Sequence, residues 1–430
     1  MKSIDRQILR IALPSIVSNI TVPLLGLVDT AIVGHMGDAV YIGAVAVGSM
    51  MFNVVYWIFG FLRMGTSGMT AQALGRDDRA ETVRLLLRSL AVALAVATGM
   101  IVLQVPLREL ALWIIGPTAD VGSVARTYFN VCIWGAPAVL CLNSLAGWFV
   151  GMQNTRVPMY VAILQNVVNI VASLCFVFVL GWGIKGVALG TLLAQYAGLA
   201  VAAWLWWRRH GEMWCMTRWK GLFDRTAMGR FFSVNADIFL RTLCMVAVNL
   251  YFLSAGAAQG AVLLAVNTLL MQLFTLFSYV MDGFAFAGEA ICGQAAGAHD
   301  EAGLRRSIRR LFGWGAALTA VYTLVYAAGG QPFLSLLTDA DDVVAAASAY
   351  LPWAVLIPVA GVAAFIWDGV FVGLTATRGM LLASALAALA FFAIETLLAP
   401  QLGNHALWLA FLSYLFARGA VQTVVFVRRK

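Results

Sequence analysis

Charge is scarce in this chain: Asp, Glu, Lys and Arg make up 11% of its 430 residues, against 62% that are hydrophobic. Soluble domains carry about 25% charged residues, so a globular fold bathed in water is excluded and a membrane protein is implied. Cysteine is also sparse. Cys132, Cys141, Cys175, Cys215, Cys244 and Cys292 are scattered, without CxxC or metal-ligand spacing. Five of them fall in apolar runs and read as small hydrophobes, which excludes a disulfide framework and a thiolate metal site. Only four histidines are present, and no His, Cys, Asp and Glu cluster has the spacing of a metalloenzyme, so a membrane-embedded enzyme is disfavoured. A cleavable signal peptide is not expected either. The first apolar run follows a short basic lead-in, Met1–Arg10, and continues to Val33 without a small-residue cleavage site.

Apolar runs long enough to cross a bilayer begin near residues 11, 43, 89, 127, 157, 184, 232, 261, 311, 345, 379 and 405. They are rich in Ala, Leu, Gly and Val and lack the ten-residue alternation of barrel strands. The expectation is an all-α polytopic membrane protein with twelve transmembrane helices. Pro14 and Pro23 in the first run, Pro137 in the fourth, and Pro352 and Pro358 in the tenth each remove a backbone donor and predict local bends.

The chain aligns with itself, without a gap, at an offset of 222 residues. AQALGRDDRAETVRLLLR (71–88) lies over GQAAGAHDEAGLRRSIRR (293–310), and WFVGMQNTR (148–156) over VFVGLTATR (370–378). Tyr128 falls on Tyr350. Duplication in so apolar a chain implies a secondary transporter built from two repeats. Six spans return each repeat to its starting side, so the two share one orientation, related by a pseudo-twofold axis along the membrane normal. The expected division is a lobe over 1–205, a cytoplasmic linker over 206–230 and a second lobe over 231–430. The linker is expected to hold a short interfacial helix, with Trp206, Trp207, Trp214 and Trp219 at headgroup level.

A net charge of +8 raises the question of a nucleic-acid partner, and the distribution of that charge answers it. Placing the N-terminus inside puts 22 of the 28 basic residues on the cytoplasmic side, including Arg76, Arg79, Arg84 and Arg88, Arg218 and Lys220, and Arg428, Arg429 and Lys430. The opposite loops hold Arg108, Arg126 and Lys185 beside Asp38, Asp120, Asp339, Asp341 and Asp342. This is the positive-inside pattern, with both termini cytoplasmic. The basic excess therefore records topology rather than a nucleic-acid surface.

Ionisable residues inside the spans cost about 2.5–3.5 kcal/mol each at a helix centre, so each needs a reason. Asp29 in the first span is the sharpest candidate, because no basic residue lies near it in sequence. A lone carboxylate there needs a proton, a cation or hydrogen bonds from neighbouring helices, and the first two suit a coupling site. Asp237 and Arg241 in the seventh span are four apart on one face, which fits a local ion pair as well as substrate contact. Asp282 and Glu289 share a face of the eighth span, either lining a cation-accessible cavity or receiving Arg241 or Arg418. Asp368 of the tenth span precedes the repeated FVG motif and reads as functional. Glu395 and Arg63 approach helix ends and read as structural. Asn169 and Ser173 of the fifth span, again four apart, can share hydrogen bonds with Thr191 of the sixth; their interest depends on meeting Asp29.

The segments LPSIVSNITVPLLGLVDTAIVGHMG, GFLRMGTSGMTAQALGRDD and DGFAFAGEAICGQAAGAHD together resemble the MATE (multidrug and toxic compound extrusion) family, in its DinF-like branch. NADIFLRT (235–242), WDGVFVGLTATRG (367–379) and LGNHALWLAFLSY (402–414) are similar to the same branch, so the likeness runs along nearly the whole chain. It implies an inner-membrane antiporter with two six-helix lobes around a cavity, exporting organic molecules against H⁺ or Na⁺. It further implies that Asp29 is the helix-1 carboxylate that binds the coupling cation, that Pro14 is the proline associated with bending of that helix, and that Asn169 and Thr191 are polar partners of the site. Ser173 departs from the pattern, since many relatives carry a second carboxylate there. A site with one negative charge points to proton rather than sodium coupling. Asp368 matches a tenth-helix acid implicated in cation or substrate binding, whereas the helix-7 glutamate of other branches has no counterpart.

The resulting expectation is a proton-coupled antiporter for organic, cationic or amphipathic drugs and toxins, with sodium coupling the lesser alternative. It would need no cofactor beyond the coupling ion, bind a small-molecule substrate and membrane lipid but no nucleic acid, and work as a monomer. A lipid-linked precursor flippase or an exporter of an endogenous organic metabolite stays open. Acids outnumber bases inside the membrane, which argues against a cationic pyrophosphate cavity.

Overall fold

A computed structural model describes residues 2–36, 39–216, 221–337 and 341–428. Asp38, Arg218, Trp219, Lys220, Asp339, Arg429 and Lys430, used above to assign topology, lie outside the described residues.

The described chain is helical, and twelve of its segments are long and apolar enough to span a membrane: Ile4–Gly34, Ala39–Gly75, Arg79–Val102, Ala119–Gly151, Arg156–Val179, Gly183–Trp214, Arg225–Ala258, Ala261–Gly297, Glu301–Ser335, Asp342–Gly373, Thr377–Leu402 and Asn404–Val427. The first is α1 (Lys2–Gly34), which runs unbroken through Pro14 and Pro23. The second breaks at Phe59–Gly60 into α2 (Ala39–Ile58) and α3 (Phe61–Gly75), and α4 (Arg79–Val102) follows. A short helix the sequence did not announce, α5 (Gln104–Ile115), joins the third span to α6 (Ala119–Cys132). A 3₁₀ turn over Ile133–Gly135 then leads into α7 (Ala136–Gly151), where Pro137 sits in the first turn and loses no helical hydrogen bond. The chain continues through α8 (Arg156–Leu174), a π turn over Cys175–Val179, and α9 (Gly183–Met216). The second half comprises α10 (Arg225–Ala258), α11 (Ala261–Gly297), α12 (Glu301–Leu337), α13 (Asp341–Gly373), α14 (Thr377–Leu402) and α15 (Asn404–Val427).

The 222-residue repeat is written into the backbone. Asp77 and Gln153 adopt left-handed conformations (φ 55° and 60°), and so do their counterparts His299 and Thr375 (φ 55° and 50°). Asp78 caps α4 by accepting from the Glu81 amide at 2.9 Å, and Asp300 caps α12 by accepting from the Gly303 amide at 2.8 Å. Two glycines one turn apart, Gly147 and Gly151, let α7 lie against α3. A Cβ on them would stand 2.2 Å from the Arg63 carbonyl oxygen and 2.6 Å from that of Ser67. Their counterparts Gly369 and Gly373 bring α13 equally close to Ala285 (2.2 Å) and Glu289 (2.7 Å) of α11. This is the small-xxx-small contact of membrane helices, built twice from corresponding residues.

Two compact units result. The N-unit holds Leu13–Phe232, and the C-unit holds Met1–Ala12 with Ser233–Lys430. This differs from the expected boundaries in two places. The first turns of α1 belong to the C-unit, where Asp5 accepts a hydrogen bond from Trp314 Nε1 at 3.3 Å and faces Arg310 at 3.7 Å. The stretch assigned to a linker belongs to the N-unit and is largely helical, as the ends of α9 and α10. Trp206 is buried rather than at a headgroup surface, edge-on to Trp148 with ring centroids 5.9 Å apart, whereas Trp207 is exposed. Between the two helices, the buried Arg88 donates to the carbonyls of Leu222 (2.6 Å) and Gly221 (3.4 Å) and to Glu81 Oε1 (2.6 Å). Arg310 is the repeat counterpart of Arg88, so one arginine position in each repeat holds the entry of a repeat's first helix.

Candidate functional site

In the N-unit, α1, α8 and α9 bring together the four residues expected to form a coupling site. Asp29 is buried at 4% exposure, and Asn169, Ser173 and Thr191 are buried with it. Gly190 allows the approach, since a Cβ there would stand 2.2 Å from Ser173 Oγ. Thr191 Oγ1 accepts from Asn169 Nδ2 at 3.0 Å and lies 3.4 Å from Asp29 Oδ2, with its own backbone acceptor, Val187 O, at 3.2 Å. One hydroxyl hydrogen cannot serve both acceptors fully, so the Asp29 carboxylate is thinly solvated by protein. Its Oδ1, together with Asn169 Oδ1 and Ser173 Oγ, has no hydrogen-bond partner among the described residues. No basic side chain pairs with Asp29 there either. Such a group can lose the cost of its charge by taking up a proton, or can share it with a small cation among three oxygen donors.

The C-unit treats its carboxylate in the opposite way. Asp368 of α13 is buried and caged: Arg241 of α10 and Arg418 of α15 both donate to Oδ2, and Gln422 Nε2 donates to Oδ1 at 2.7 Å. Arg418 also lies over the Tyr414 ring, 5.4 Å from its centroid. The local Asp237–Arg241 pair expected from their spacing gives way to partners on other helices. Arg241 reaches Asp368, and Asp237 accepts from Thr377 Oγ1 at 2.6 Å. A long arginine reaches across a helix interface, and a full charge at burial is better matched than one half-exposed. Two guanidinium groups donate to one carboxylate, so Asp368 serves as their counter-ion.

The remaining candidates lie elsewhere along the chain. Glu289 is buried in α11, at the level where Gly373 crosses it, and the half-buried Asp282 lies two turns earlier beside Tyr279. Pro14 falls in α1 two residues after the chain passes from the C-unit to the N-unit. Glu395 departs from the helix-end reading: it is 3% exposed, well inside α14, with Oε2 unpartnered. Sequence reasoning passed over Gln422 and Thr377. The spacing of Gln422 one turn after Arg418 was its available signal. Among the described residues, no group of three or more His, Cys, Asp or Glu is arranged to hold a metal ion.

Twelve spans, a duplicated scaffold and a lone buried carboxylate among hydroxyl and amide oxygens define a multi-pass membrane transporter rather than an enzyme. The MatE family model matches residues 14–175 and 238–397. DNA damage-inducible protein F of Escherichia coli K12 is 38% identical over all of this chain and 93% of its own length. Protein DETOXIFICATION 44, chloroplastic, of Arabidopsis thaliana is 26% identical over 86% of this chain and 72% of its own. A crystal structure of a MATE protein in the bent conformation superposes with a TM-score of 0.88 at 19% identity, covering 99% of this chain and 95% of that one. The chain belongs to the MATE family of multidrug and toxic-compound extrusion transporters.

Proposed function

We propose that the protein is a proton-coupled antiporter that exports organic compounds across the bacterial cytoplasmic membrane by alternating access, with both termini cytoplasmic. The observation that carries this reading is Asp29: buried and, among the described residues, without a basic partner and with one carboxylate oxygen left unpartnered. In its charged form it attracts a proton or a cationic substrate. Neutralised, it loses that attraction and its desolvation cost together, so its occupancy biases whatever conformations differ in access to it. Ser173 in place of a second carboxylate supports proton over sodium, because a single charge offers weak compensation for stripping water from a metal cation.

The test is transport by purified protein in liposomes. Ethidium efflux driven by an imposed pH gradient, and not by a sodium gradient, is expected, with no movement of a lipid-linked sugar. Asp29→Asn should abolish that efflux while leaving insertion and thermal stability near wild type. Gradient-driven efflux by the mutant at the wild-type rate would sink the assignment of Asp29.

A further inference from the structure

Glu395 has no part in the site just described, yet it occupies the same place in its repeat as Ser173 does. The correspondence rests on structure as well as on the sequence offset. Along α8 the buried positions Val157, Val161, Asn169 and Ser173 match Gly379, Ala383, Phe391 and Glu395, all buried along α14. The hairpins that follow turn through corresponding left-handed glycines, Gly181 (φ 69°) and Gly403 (φ 53°). Neighbours correspond as well. Asp29 maps onto Tyr251, and Asn169 onto Phe391. Where the N-unit sets Asp29 beside Asn169, the C-unit packs the Tyr251 ring edge-on against Phe391, with centroids 5.9 Å apart, and against Phe392 at 5.2 Å. The aromatic pair has replaced the polar pair, and the carboxylate has moved one turn along, from the first helix of the repeat to the fifth.

The surroundings of Glu395 fit a group that carries a proton. It is 3% exposed, and among the described residues it has no hydrogen bond or ion pair. No charged group on α10, α13 or α15 faces it; the guanidinium groups of Arg241 and Arg418 are spent on Asp368. One turn before it on α14, Phe391 packs against Tyr251 of α10 and Tyr414 of α15. Phe391 and Phe392 offer no oxygen to a metal cation. An ionised carboxylate so placed has little solvent and, among the described residues, no counter-charge.

We propose that Glu395 is a second proton-binding site, carried by the C-unit at the position Ser173 holds in the N-unit. On the proton-coupled reading given above, each unit then holds one exchangeable proton: Asp29 in the first repeat and Glu395 in the second. The scaffold is duplicated, and the two carboxylates sit on different helices of equivalent pockets. Asp368 is not the second site, because its charge is bound in the arginine cage.

Two measurements on the full-length protein test this. A carbodiimide, which attacks carboxylic acids held protonated in apolar surroundings, should modify Glu395 in detergent-solubilised protein, with labelling located by mass spectrometry that fades as pH rises and vanishes in Glu395→Gln. In liposomes, the protons moved per ethidium should fall by half in Glu395→Gln, a neutral isostere that removes a buried charge without leaving a cavity. Absence of labelling at Glu395 under conditions that label Asp29 would overturn the proposal, as would an unchanged proton count in Glu395→Gln. If the wild-type protein moves no protons with substrate, the antiport reading falls, while the labelling result still decides whether Glu395 holds a proton.

Discussion

Asp368→Asn and Asp29→Asn make the same chemical change, and the structure assigns them opposite consequences. At Asp368 the substitution removes the counter-charge of two buried guanidinium groups, leaving Arg241 at 7% and Arg418 at 2% exposure facing a neutral amide. Breaking a buried ion pair from one side costs about 3–5 kcal/mol, because the stranded charge stays buried. Here Arg418 and Arg241 each lose this counter-charge, so a loss within that range is expected. At Asp29 no basic partner among the described residues is stranded and the contact with Thr191 Oγ1 is a long one of 3.4 Å, so the amide should change stability by less than about 1 kcal/mol. The assay is thermal unfolding in detergent, followed by the fraction that remains monodisperse on size exclusion. Asp368→Asn should melt well below wild type or fail to accumulate, while Asp29→Asn melts close to it. Adding Arg418→Gln to Asp368→Asn removes one stranded charge and should recover part of the loss, since the residues form one network. Equal melting of the two single mutants, or no recovery in the double mutant, would refute the counter-ion reasoning.

Gly147→Ala and Gly369→Ala each drive a methyl group to 2.2 Å from a backbone carbonyl, so both should lose about 1–3 kcal/mol by overpacking, to a similar degree because the contact is duplicated; paired melting curves check this. Arg88→Ala strands the carbonyls of Gly221 and Leu222, while Glu81 keeps its pairing with Arg84, and protease cleavage within 221–224 should rise while the spans stay protected. Glu109 of α5 is held down to about 2 by its hydrogen bonds to Arg126 and then Arg108. Its folded value lies below the usual carboxylate value of 4.5, so the stability from this clasp is present above that value and is lost as pH falls towards about 2. Hydrogen exchange in α5 should therefore stay slow down to about pH 4, and Glu109→Gln should remove that pH dependence.

Much of the scaffold was legible because membrane insertion leaves strong marks. Spans must be long and apolar, and a gapless duplication shows as residue identities wherever the backbone needs a cap or a close approach: Asp78 and Asp300, Gly147 and Gly369, Gly151 and Gly373. The N-unit cluster was legible in part: Asp29 stood out as a lone acid in an apolar run, whereas Asn169, Ser173 and Thr191 fitted helix-to-helix hydrogen bonding equally well, and the resemblance implied the place of Asn169 and Thr191 beside Asp29. The C-unit was less so. Asp237 and Arg241 satisfy the spacing of a helical ion pair, and spacing along one helix cannot reveal that Arg241 has a better partner on α13 and Asp237 a hydroxyl on α14. Trp206 carries the composition of an interface belt, yet it packs on Trp148 because α9 continues past its apolar run into the N-unit core.

By itself the sequence determined what kind of solvent the chain lives in, how many times it crosses it, and that one half was copied from the other. These follow from residue type and order, since hydrocarbon penalises polar groups one by one wherever they fall. Only the tertiary structure decided which buried carboxylates pair with guanidinium groups and which, among the described residues, do not. Asp29, Asp368 and Glu395 look alike in a list of buried acids. What separates them is the set of side chains that other helices bring within hydrogen-bonding reach: a hydroxyl and an amide for the first, two guanidinium groups for the second, and no partner among the described residues for Oε2 of the third. The balance between desolvation and pairing is settled at those distances, in three dimensions rather than along the chain.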